Sequence, residues 1–317
     1  MATTVALTGA TGFVGSHVAA ALAESGYQVR ALVRRDDAAL RARGVDLLMG
    51  TLDAVPAPFL ADATTVVHVA GAVRAAGPGI FREVNAEATA RLAAAAADSG
   101  VESFLLMSSL AARLPAISPY AASKAEGEAA ALVCGGAMRV TVVRPPAVYG
   151  PGDRATLPLL RGLERGLLVH PGHAMGRFSL LHVTDLAQLM LRLLAYPVAG
   201  GTIVEPDDGK DGGYSWRELA AIAEARLGRR IRVIGLPRAP LALAAWLAEQ
   251  YAQRAVRPPI LSLGKVAELY HRDWVSDTRA IGIETGWQPR IGFGDGLVAT
   301  LAWYHEAGWL GGRKLQG

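Results

Sequence analysis

Cysteine is nearly absent from this chain, since Cys134 is the only one among its 317 residues. A single thiol excludes an internal disulfide and fits a reducing compartment, so we expect a cytoplasmic protein. Cys134 follows a predicted helix, and we interpret it as a small buried apolar residue rather than as a nucleophile.

Charge is also sparse, because charged residues make up 19% of the chain and the net charge is only +4. The arginines are scattered rather than gathered in a dense basic tract, so nucleic-acid binding is not expected. The small basic surplus suits a cleft for an anionic small molecule. Since 51% of the residues are apolar, we expect a globular protein. The N-terminus lacks the basic and apolar regions of a signal peptide, so we expect none.

Long apolar runs are missing too. The nearest candidate, residues 236–248, contains proline and arginine and is too short to cross a bilayer, so we expect no transmembrane segment. We interpret it as part of a buried lobe or a dimer contact, and a lipid-facing role at a membrane surface stays open as an alternative. The pair His170 and His173 has no third ligand at a useful spacing, so we expect no metal site.

Glycine, by contrast, recurs at a regular spacing near the start of the chain. Residues 3–8 form a predicted buried strand, Gly9-Ala-Thr-Gly12-Phe-Val-Gly15 follows, and a helix to about residue 24 comes next. This order is typical of a dinucleotide-binding loop, although an ordinary glycine-rich turn is the alternative. We expect Gly9 to make the tight turn, Gly12 to admit a pyrophosphate and Gly15 to let helix and strand pack closely. The helix N-terminus supplies N–H groups for phosphate.

The second predicted strand, residues 28–33, ends at Arg34-Arg35-Asp36-Asp37. A carboxylate at this point usually holds the ribose hydroxyls of NAD, whereas an arginine suits the 2′-phosphate of NADP. We therefore favour NADP over NAD. A solvated charge cluster, or ribose binding by Asp36 or Asp37, remains the alternative.

Tyr120 and Lys124 are four residues apart, which places both on one face of a predicted helix. Ser118 is a natural N-cap for that helix, and Pro119 suits its first position. An ammonium near a phenol lowers the tyrosine pKa, so that the phenol can exchange a proton with a carbonyl or carbinol oxygen. An ordinary solvated pair is the alternative.

The first half of the chain alternates strand and helix, which predicts a parallel sheet covered on both sides. The fold class is therefore α/β, a Rossmann-type doubly wound parallel sheet whose ligand site lies at the carboxyl ends of the strands. Predicted strands are 3–8, 28–33, 45–49, 65–70, 103–107 and 139–143, and predicted helices are 13–24, 36–43, 80–98 and 119–133.

After Pro145 and Pro146 prolines and glycines become frequent, which predicts a smaller substrate lobe of loops and short helices. We divide the chain into a nucleotide-binding domain at 1–165 and a mainly substrate-binding lobe at 166–317, with a returning segment near 178–196 that interleaves the two. Further predicted elements are a strand at 180–183 that returns to the sheet, helices at 185–194, 215–226 (with a capping box), 240–254 and 294–304, and a strand near 233–237.

Seven short motifs in order give the chain a resemblance to a known family. They are Thr8–Gly15, Val67–Gly71, Asn85–Thr89, Leu106–Ser109, Tyr120–Lys124, Arg144–Gly152 and Leu181–Ala187. Together they resemble the extended short-chain dehydrogenase/reductase family, in its NAD(P)-dependent epimerase/dehydratase branch, and Val33-Arg34 resembles the dihydroflavonol reductase type.

The resemblance implies roles for matching residues. Tyr120 would be the general acid/base, Lys124 its tuner and a ribose ligand, and Asn85 a support of the site. Ser109 would bind the substrate oxygen, with Ser108 as the alternative. The implied cofactor-binding residues are Gly9, Thr11, Gly12, Phe13, Val14, Gly15, Arg34, Thr51, Leu52, Ala70, Gly71, Tyr120, Lys124, Pro145 and Val148.

Two departures from the family pattern shape the functional prediction. Thr51 stands where a carboxylate commonly meets the adenine, and the stretch from Ser109 to Tyr120 is shorter than in nucleotide-sugar enzymes. We therefore predict an oxidoreductase that transfers a hydride between nicotinamide and a carbonyl or hydroxyl substrate. An epimerase or dehydratase that retains NAD is one alternative, and a non-catalytic NADP-sensing or assembly protein is another. The expected partner is a small-molecule substrate, and a homodimer is common in families of this kind.

Overall fold

The computed structural model describes residues 3–173, 175–252, 259, 261–276, 278, 282 and 284–311. Its strands are β1 (Thr4–Thr8), β2 (Gln28–Val33), β3 (Asp46–Met49), β4 (Ala63–His68), β5 (Ser103–Met107), β6 (Arg139–Val143), β7 (Ala147–Tyr149), β8 (Leu167–Pro171), β9 (Arg177–Phe178), β10 (Leu180–His182), β11 (Ile203–Val204), β12 (Arg232–Leu236) and β13 (Asp273–Trp274). Its helices are α1 (Phe13–Glu24), α2 (Ala38–Ala42), α3 (Ala57–Leu60), α4 (Pro78–Arg82), α5 (Ala88–Asp98), α6 (Pro119–Val133), α7 (Leu157–Glu164), α8 (Val183–Ala195), α9 (Trp216–Leu227), α10 (Arg238–Ala252), α11 (Leu263–Leu269) and α12 (Phe293–Glu306).

Seven strands form one parallel sheet in the order β11-β6-β5-β4-β1-β2-β3. The chain therefore winds outward from β1 in both directions, which confirms the Rossmann-type α/β prediction. The gap between β1 and β4, where the winding reverses, is the place at which such sheets bind ligands.

Both faces of the sheet are covered, because its central strands carry apolar side chains on both sides. Val5 and Leu7 face one apolar cluster together with α1 and α8, while Ala6 faces a second cluster together with α3, α5 and α6. The largest side chains of the second cluster, Phe59 and Phe104, are fully buried, and such burial stabilises the fold by roughly 1.5–3 kcal/mol for each large apolar side chain.

A third apolar cluster lies in the C-terminal part of the chain, among α7, β8, α9 and α12. The predicted capping box at the start of α9 is present, because Ser215 accepts from the Glu218 backbone and the Glu218 carboxylate accepts from the Ser215 backbone. The proposed boundary at residue 165 stays a prediction.

One prediction about the second half of the sheet was wrong, and one strand was not predicted. The segment predicted to return to the sheet, β10, pairs with β7 in a separate two-stranded sheet. The main sheet is instead extended by β11, which pairs with β6 over two residues. A strand of two residues is too short to show an apolar periodicity, so no local pattern predicts it.

The helix predicted at 80–98 is interrupted. A π-helical turn, Glu83–Glu87, separates α4 from α5, and π-turns inside helices are often found at functional sites. The turn places the backbone carbonyl of Asn85 directly against Gly127 of α6.

The helix predicted at 240–254 begins earlier, as α10 at Arg238, and its predicted end at Arg254 lies outside the described residues. Within the described parts of the chain, no helix combines the length and the apolar character needed to cross a bilayer.

Candidate active site

The glycine loop between β1 and α1 has a shape that only glycine permits. Gly9 has φ of +77°, and a Cβ there would lie 2.6 Å from the Ala70 backbone nitrogen. A Cβ on Gly15 would overlap with the Gly9 carbonyl oxygen, so this position must be glycine for α1 to pack on β1.

The same loop leaves space for a phosphate. A Cβ on Gly12 would meet only the Gly9 oxygen, at 3.2 Å, and no side chain caps the N-terminus of α1. The first N–H groups of the helix are therefore available for an anion, as dinucleotide binding requires. The residues present here fit the nucleotide that the sequence predicts.

A cleft of about 1600 Å³ runs from this loop to the C-terminal part of the chain. It is larger than a typical pocket for one small ligand and has room for a dinucleotide and a substrate together. The predicted site residues that line it are Gly9, Thr11, Gly12, Phe13, Val14, Gly15, Arg34, Thr51, Leu52, Ala70, Gly71, Ser109, Tyr120, Pro145 and Val148. Lys124 and Asn85 are buried behind that lining.

Of the charged residues that follow β2, Arg34 lines the cleft, whereas Asp36 and Asp37 bind neighbouring residues. Asp36 pairs with Arg41 at 2.6 Å, and Asp37 caps α2 by accepting from the Ala39 and Leu40 backbones. Arg34 is exposed and lines the cleft. Both carboxylates that could compete for a ribose are thus engaged elsewhere.

Thr51 and Leu52, to which the resemblance assigns the adenine contact, line the cleft. Asp53 also lines the cleft, and its carboxylate accepts from Arg91 at 3.0 Å. The family commonly has a carboxylate at position 51, where this chain has Thr51. Asp53 does not supply an unpaired carboxylate in its place, because it is paired with Arg91.

Tyr120 and Ser109 meet in the middle of the cleft. The Ser109 hydroxyl lies beside the Tyr120 phenol, and the Phe81 ring contacts the tyrosine ring edge-on at 5.8 Å. Burial raises the pKa of Tyr120 to about 12, with Ser109 opposing the shift and Glu268 adding to it. The phenol is therefore protonated at neutral pH and can act as a proton donor.

Lys124 lies one helical turn beyond Tyr120, and its Nζ donates to the Met107 carbonyl at 2.7 Å. Burial lowers the pKa of Lys124 to about 8, although Glu128 opposes the shift. The expectation that Lys124 lowers the tyrosine pKa is not met in this arrangement, because burial raises the pKa of Tyr120 and the Glu268 carboxylate raises it further.

Asn85 connects three parts of the site. Its side chain accepts from the Ala72 backbone at 2.8 Å, donates to the Ala72 carbonyl at 2.9 Å, and donates to Ser123 on α6 at 3.0 Å. The loop after β4 is thereby held against the helix that carries Tyr120.

Ser108 and Ser109 have different environments. Ser108 is buried and donates to the Glu128 carboxylate, which also accepts from Arg144 at 2.9 Å. Ser109 opens the short helical turn Leu110–Arg113 and faces the cleft. The geometry thus favours Ser109 over Ser108 as the serine beside Tyr120.

The sequence profile of the NAD dependent epimerase/dehydratase family matches residues 5–205. The chain belongs to this family. A ceramide reductase of Caulobacter vibrioides (strain NA1000 / CB15N) is 37% identical over 311 residues, which cover 96% of this chain and 96% of that protein. A UDP-glucose 4-epimerase of Vibrio cholerae is 31% identical over 241 residues, which cover 67% of this chain and 72% of that protein. The structure of MoeE5 in complex with UDP-glucose and NAD has a TM-score of 0.75 at 23% identity, covering 96% of this chain and 99% of that one, which shows a shared fold.

This member of the epimerase/dehydratase family is accordingly an NAD-dependent enzyme of the extended short-chain dehydrogenase/reductase type, as the seven motifs predicted. Its oxidoreductase function is likewise confirmed. The family profile covers both the glycine loop, which we call the glycine cradle (Gly9, Gly12 and Gly15), and Tyr120.

The outer wall of the cleft in this epimerase/dehydratase-family chain comes from the C-terminal part, and no sequence motif marks it. The side chains of this outer wall are mostly large and apolar: Leu159, Phe178, Trp216, Leu219, Leu263, Leu269, Trp274 and Phe293. The capping box located α9 but did not show that Trp216 faces the cleft. These residues converge from separate elements, so no local pattern joins them.

Glu268 on α11 is a polar residue of the cleft that no sequence motif indicated. It is buried, lines the cleft, and accepts from Ser118, the N-cap of α6, at 2.5 Å. Lys265 donates to its other oxygen at 3.0 Å. The carboxylate therefore ties the C-terminal part of the chain to the helix that carries Tyr120.

Three further polar side chains near the cleft have structural partners. His17 contacts the Pro151 carbonyl at 2.8 Å, and His182 caps α8. Arg154 lies over the Trp309 ring, 4.4 Å from its centroid. Among the described residues, no group of three or more His, Cys, Asp or Glu is placed to hold a metal ion.

Proposed function

We propose that this chain is an NADP-preferring reductase whose substrate is a ketone carried on a long apolar molecule, of the ceramide type. The observation that carries the proposal is the position of Tyr120 and Ser109, between the glycine cradle and the apolar outer wall of one cleft. A carbonyl held there would have a proton donor on one side and a nucleotide site on the other.

The chemistry follows from the residues. Bound NADPH would supply the hydride that forms the new C–H bond at the carbonyl carbon. Tyr120 donates its phenolic proton to the oxygen, and Ser109 donates a hydrogen bond that polarises the C=O bond. Lys124, whose ammonium lies at the Met107 carbonyl, is proposed to orient the ribose, while Asn85 keeps α6 in place.

The charges of the outer cleft support a lipid more than a sugar nucleotide. Among the described lining residues of that half, the guanidinium and ammonium groups are those of Arg177 and Lys265. Each is already paired with a carboxylate, that of Glu218 at 3.3 Å and that of Glu268 at 3.0 Å. A nucleotide diphosphate would need cations that are free to bind it. The ceramide reductase matches this chain over nearly its full length, which supports the same substrate class.

Replacing Tyr120 with phenylalanine tests the mechanism. We expect Tyr120→Phe to bind NADPH normally and to lose turnover by about 10²–10⁴-fold, the usual contribution of a positioned acid. Nucleotide binding is measured by fluorescence titration, and turnover by NADPH oxidation with a long-chain ketone. Tyr196→Phe, an exposed tyrosine outside the cleft lining, is the matched control. Near-normal turnover of Tyr120→Phe would refute the assigned role.

An epimerase or dehydratase is the second candidate, because the UDP-glucose 4-epimerase is 31% identical to this chain over 67% of its length. Such an enzyme would copurify with tightly held NAD and convert a sugar nucleotide without net oxidation. A non-catalytic NADP-sensing or assembly protein would bind the nucleotide and turn over no carbonyl substrate. The cytoplasmic location and the homodimer stay predictions, to be tested by fractionation and sedimentation.

A further inference from the structure

Helix α10 exposes its large apolar side chains. Leu243, Trp246, Leu247 and Tyr251, which we call the α10 face, are 60%, 47%, 54% and 73% exposed. Their spacing of three and four residues places them on one side of the helix. Surface helices of globular proteins normally present polar residues there.

The opposite side of α10 is the one that packs against the protein, and small residues occupy it. Ala245 is fully buried and Ala252 nearly so. The helix is thus inverted relative to an ordinary amphipathic helix, with alanine inward and leucine, tryptophan and tyrosine outward. Such an outward apolar face indicates an interaction surface.

The chain around this face is basic. Between Glu224 and Glu249 it contains five arginines and no aspartate or glutamate, and one of the five, Arg226, pairs with Asp295 of α12 at 2.8 Å. Arg230, Arg232 and Arg238 are exposed, and the last of them begins α10. Exposed apolar and aromatic side chains next to arginines are the combination that binds the surface of an anionic bilayer.

The α10 face also adjoins the cleft. Glu249 of α10 lines the cleft, and its carboxylate accepts from the backbone of Leu263, the first residue of α11, at 2.8 Å. Since α11 contributes Leu263, Glu268 and Leu269 to the outer wall, α10 lies directly behind that wall.

We propose that the α10 face docks on an anionic phospholipid bilayer. Trp246 and Tyr251 suit the boundary between headgroups and acyl chains, and Arg232 and Arg238 suit the headgroup phosphates. A second copy of the chain would bring two arginine-rich segments together, whereas an anionic bilayer neutralises them. The docking itself follows from the exposed face and its charge, while its benefit, access of a lipid substrate to the cleft, rests on the proposed function.

Vesicle sedimentation tests the docking. Purified full-length protein is mixed with vesicles of phosphatidylcholine alone or of phosphatidylcholine with phosphatidylglycerol. We expect the wild type to sediment with the anionic vesicles and Leu247→Glu to lose about tenfold in partition coefficient. Arg232→Gln should lose about fivefold on anionic vesicles and little on neutral ones. The matched control is Val133→Glu at the end of α6, where the native side chain is 85% exposed, and it should partition as the wild type does.

Three results would overturn the docking. The first is absence of vesicle binding by the wild type, and the second is equal partitioning of Leu247→Glu and Val133→Glu. The third is a dimer that Leu247→Glu dissociates in sedimentation while vesicles bind nothing, which would assign the face to a second copy.

A water-soluble short-chain ketone separates this proposal from the proposed function. Leu247→Glu should turn it over at the wild-type rate with NADPH, because Leu247 does not line the cleft. Vesicle binding by a protein that reduces no ketone would support the docking and refute the reductase.

Discussion

At the scale of single residues, the site is decided by which polar groups are already engaged. Asp36 and Asp37 follow β2 directly after Arg34 and Arg35. Asp36, however, pairs with Arg41, and Asp37 caps α2. Ser108 is likewise occupied by Glu128, which leaves Ser109 beside Tyr120. The sequence offered these alternatives, and hydrogen bonds distinguish them.

Arg34 provides the test of nucleotide preference. We expect Arg34→Ser to weaken NADPH binding by roughly tenfold to a hundredfold, because a charge-assisted hydrogen bond to the 2′-phosphate contributes about 1.5–3 kcal/mol. NADH binding should change little. Dissociation constants for both nucleotides are measured by titration, with Arg35→Ser, which does not line the cleft, as the control. An equal loss for NADPH and NADH would contradict 2′-phosphate recognition.

At the scale of elements, the π-turn and α6 fit each other closely. The predicted helix at 80–98 is broken at Asn85 because the side chain of Asn85 binds Ala72 and Ser123 while its carbonyl faces Gly127. Apolar periodicity continued through this region, so sequence analysis predicted one helix. The limits of α6 were predicted well, since Ser118 and Pro119 are local signals that need no tertiary contact.

Gly127→Ala tests this packing. An added Cβ would overlap with the Asn85 carbonyl oxygen, so α6 must shift, and overpacking of this kind costs about 1–3 kcal/mol of unfolding free energy. Urea unfolding measures the loss, and turnover should fall as well because Tyr120 lies on the same helix. Gly79→Ala on α4 is the matched control, since nothing lies within 4 Å of the added Cβ. Equal stability of the two variants would show that α6 has room to adjust.

At the scale of the whole molecule, one buried histidine connects the two strands between which the winding of the sheet reverses. His68 lies on β4 and contacts Thr8 on β1. His68 is fully buried, with Nδ1 at 2.6 Å from the Thr8 hydroxyl and Nε2 at 3.0 Å from the Thr89 hydroxyl. Burial lowers the pKa of His68 to about 3, and the nearby Lys124 adds to the shift. The imidazole is therefore neutral in the folded protein at every pH at which the enzyme would work.

This shift predicts loss of stability in acid. The unfolded chain takes up a proton on His68 below pH about 6.5, whereas the folded chain does so only near pH 3, so stability falls as pH drops between these values. We expect a slope of up to about 1.4 kcal/mol per pH unit from this residue. Urea unfolding between pH 7 and 5 measures the slope, which His68→Gln should reduce and His173→Gln, on a loop, should not. An unchanged slope in His68→Gln would place the acid sensitivity elsewhere.

The sequence by itself determined the first six strands of the sheet, the nucleotide loop and the spacing of Tyr120 and Lys124, because each depends on a local pattern: apolar strands, glycines at turns, and residues one helical turn apart. Tertiary structure alone decided which serine meets the phenol, that burial keeps Tyr120 protonated, and that Trp216, Glu268 and Phe293 close the cleft. Those features depend on distances between residues far apart in the chain, and on desolvation that exists only once the two parts of the chain have packed together.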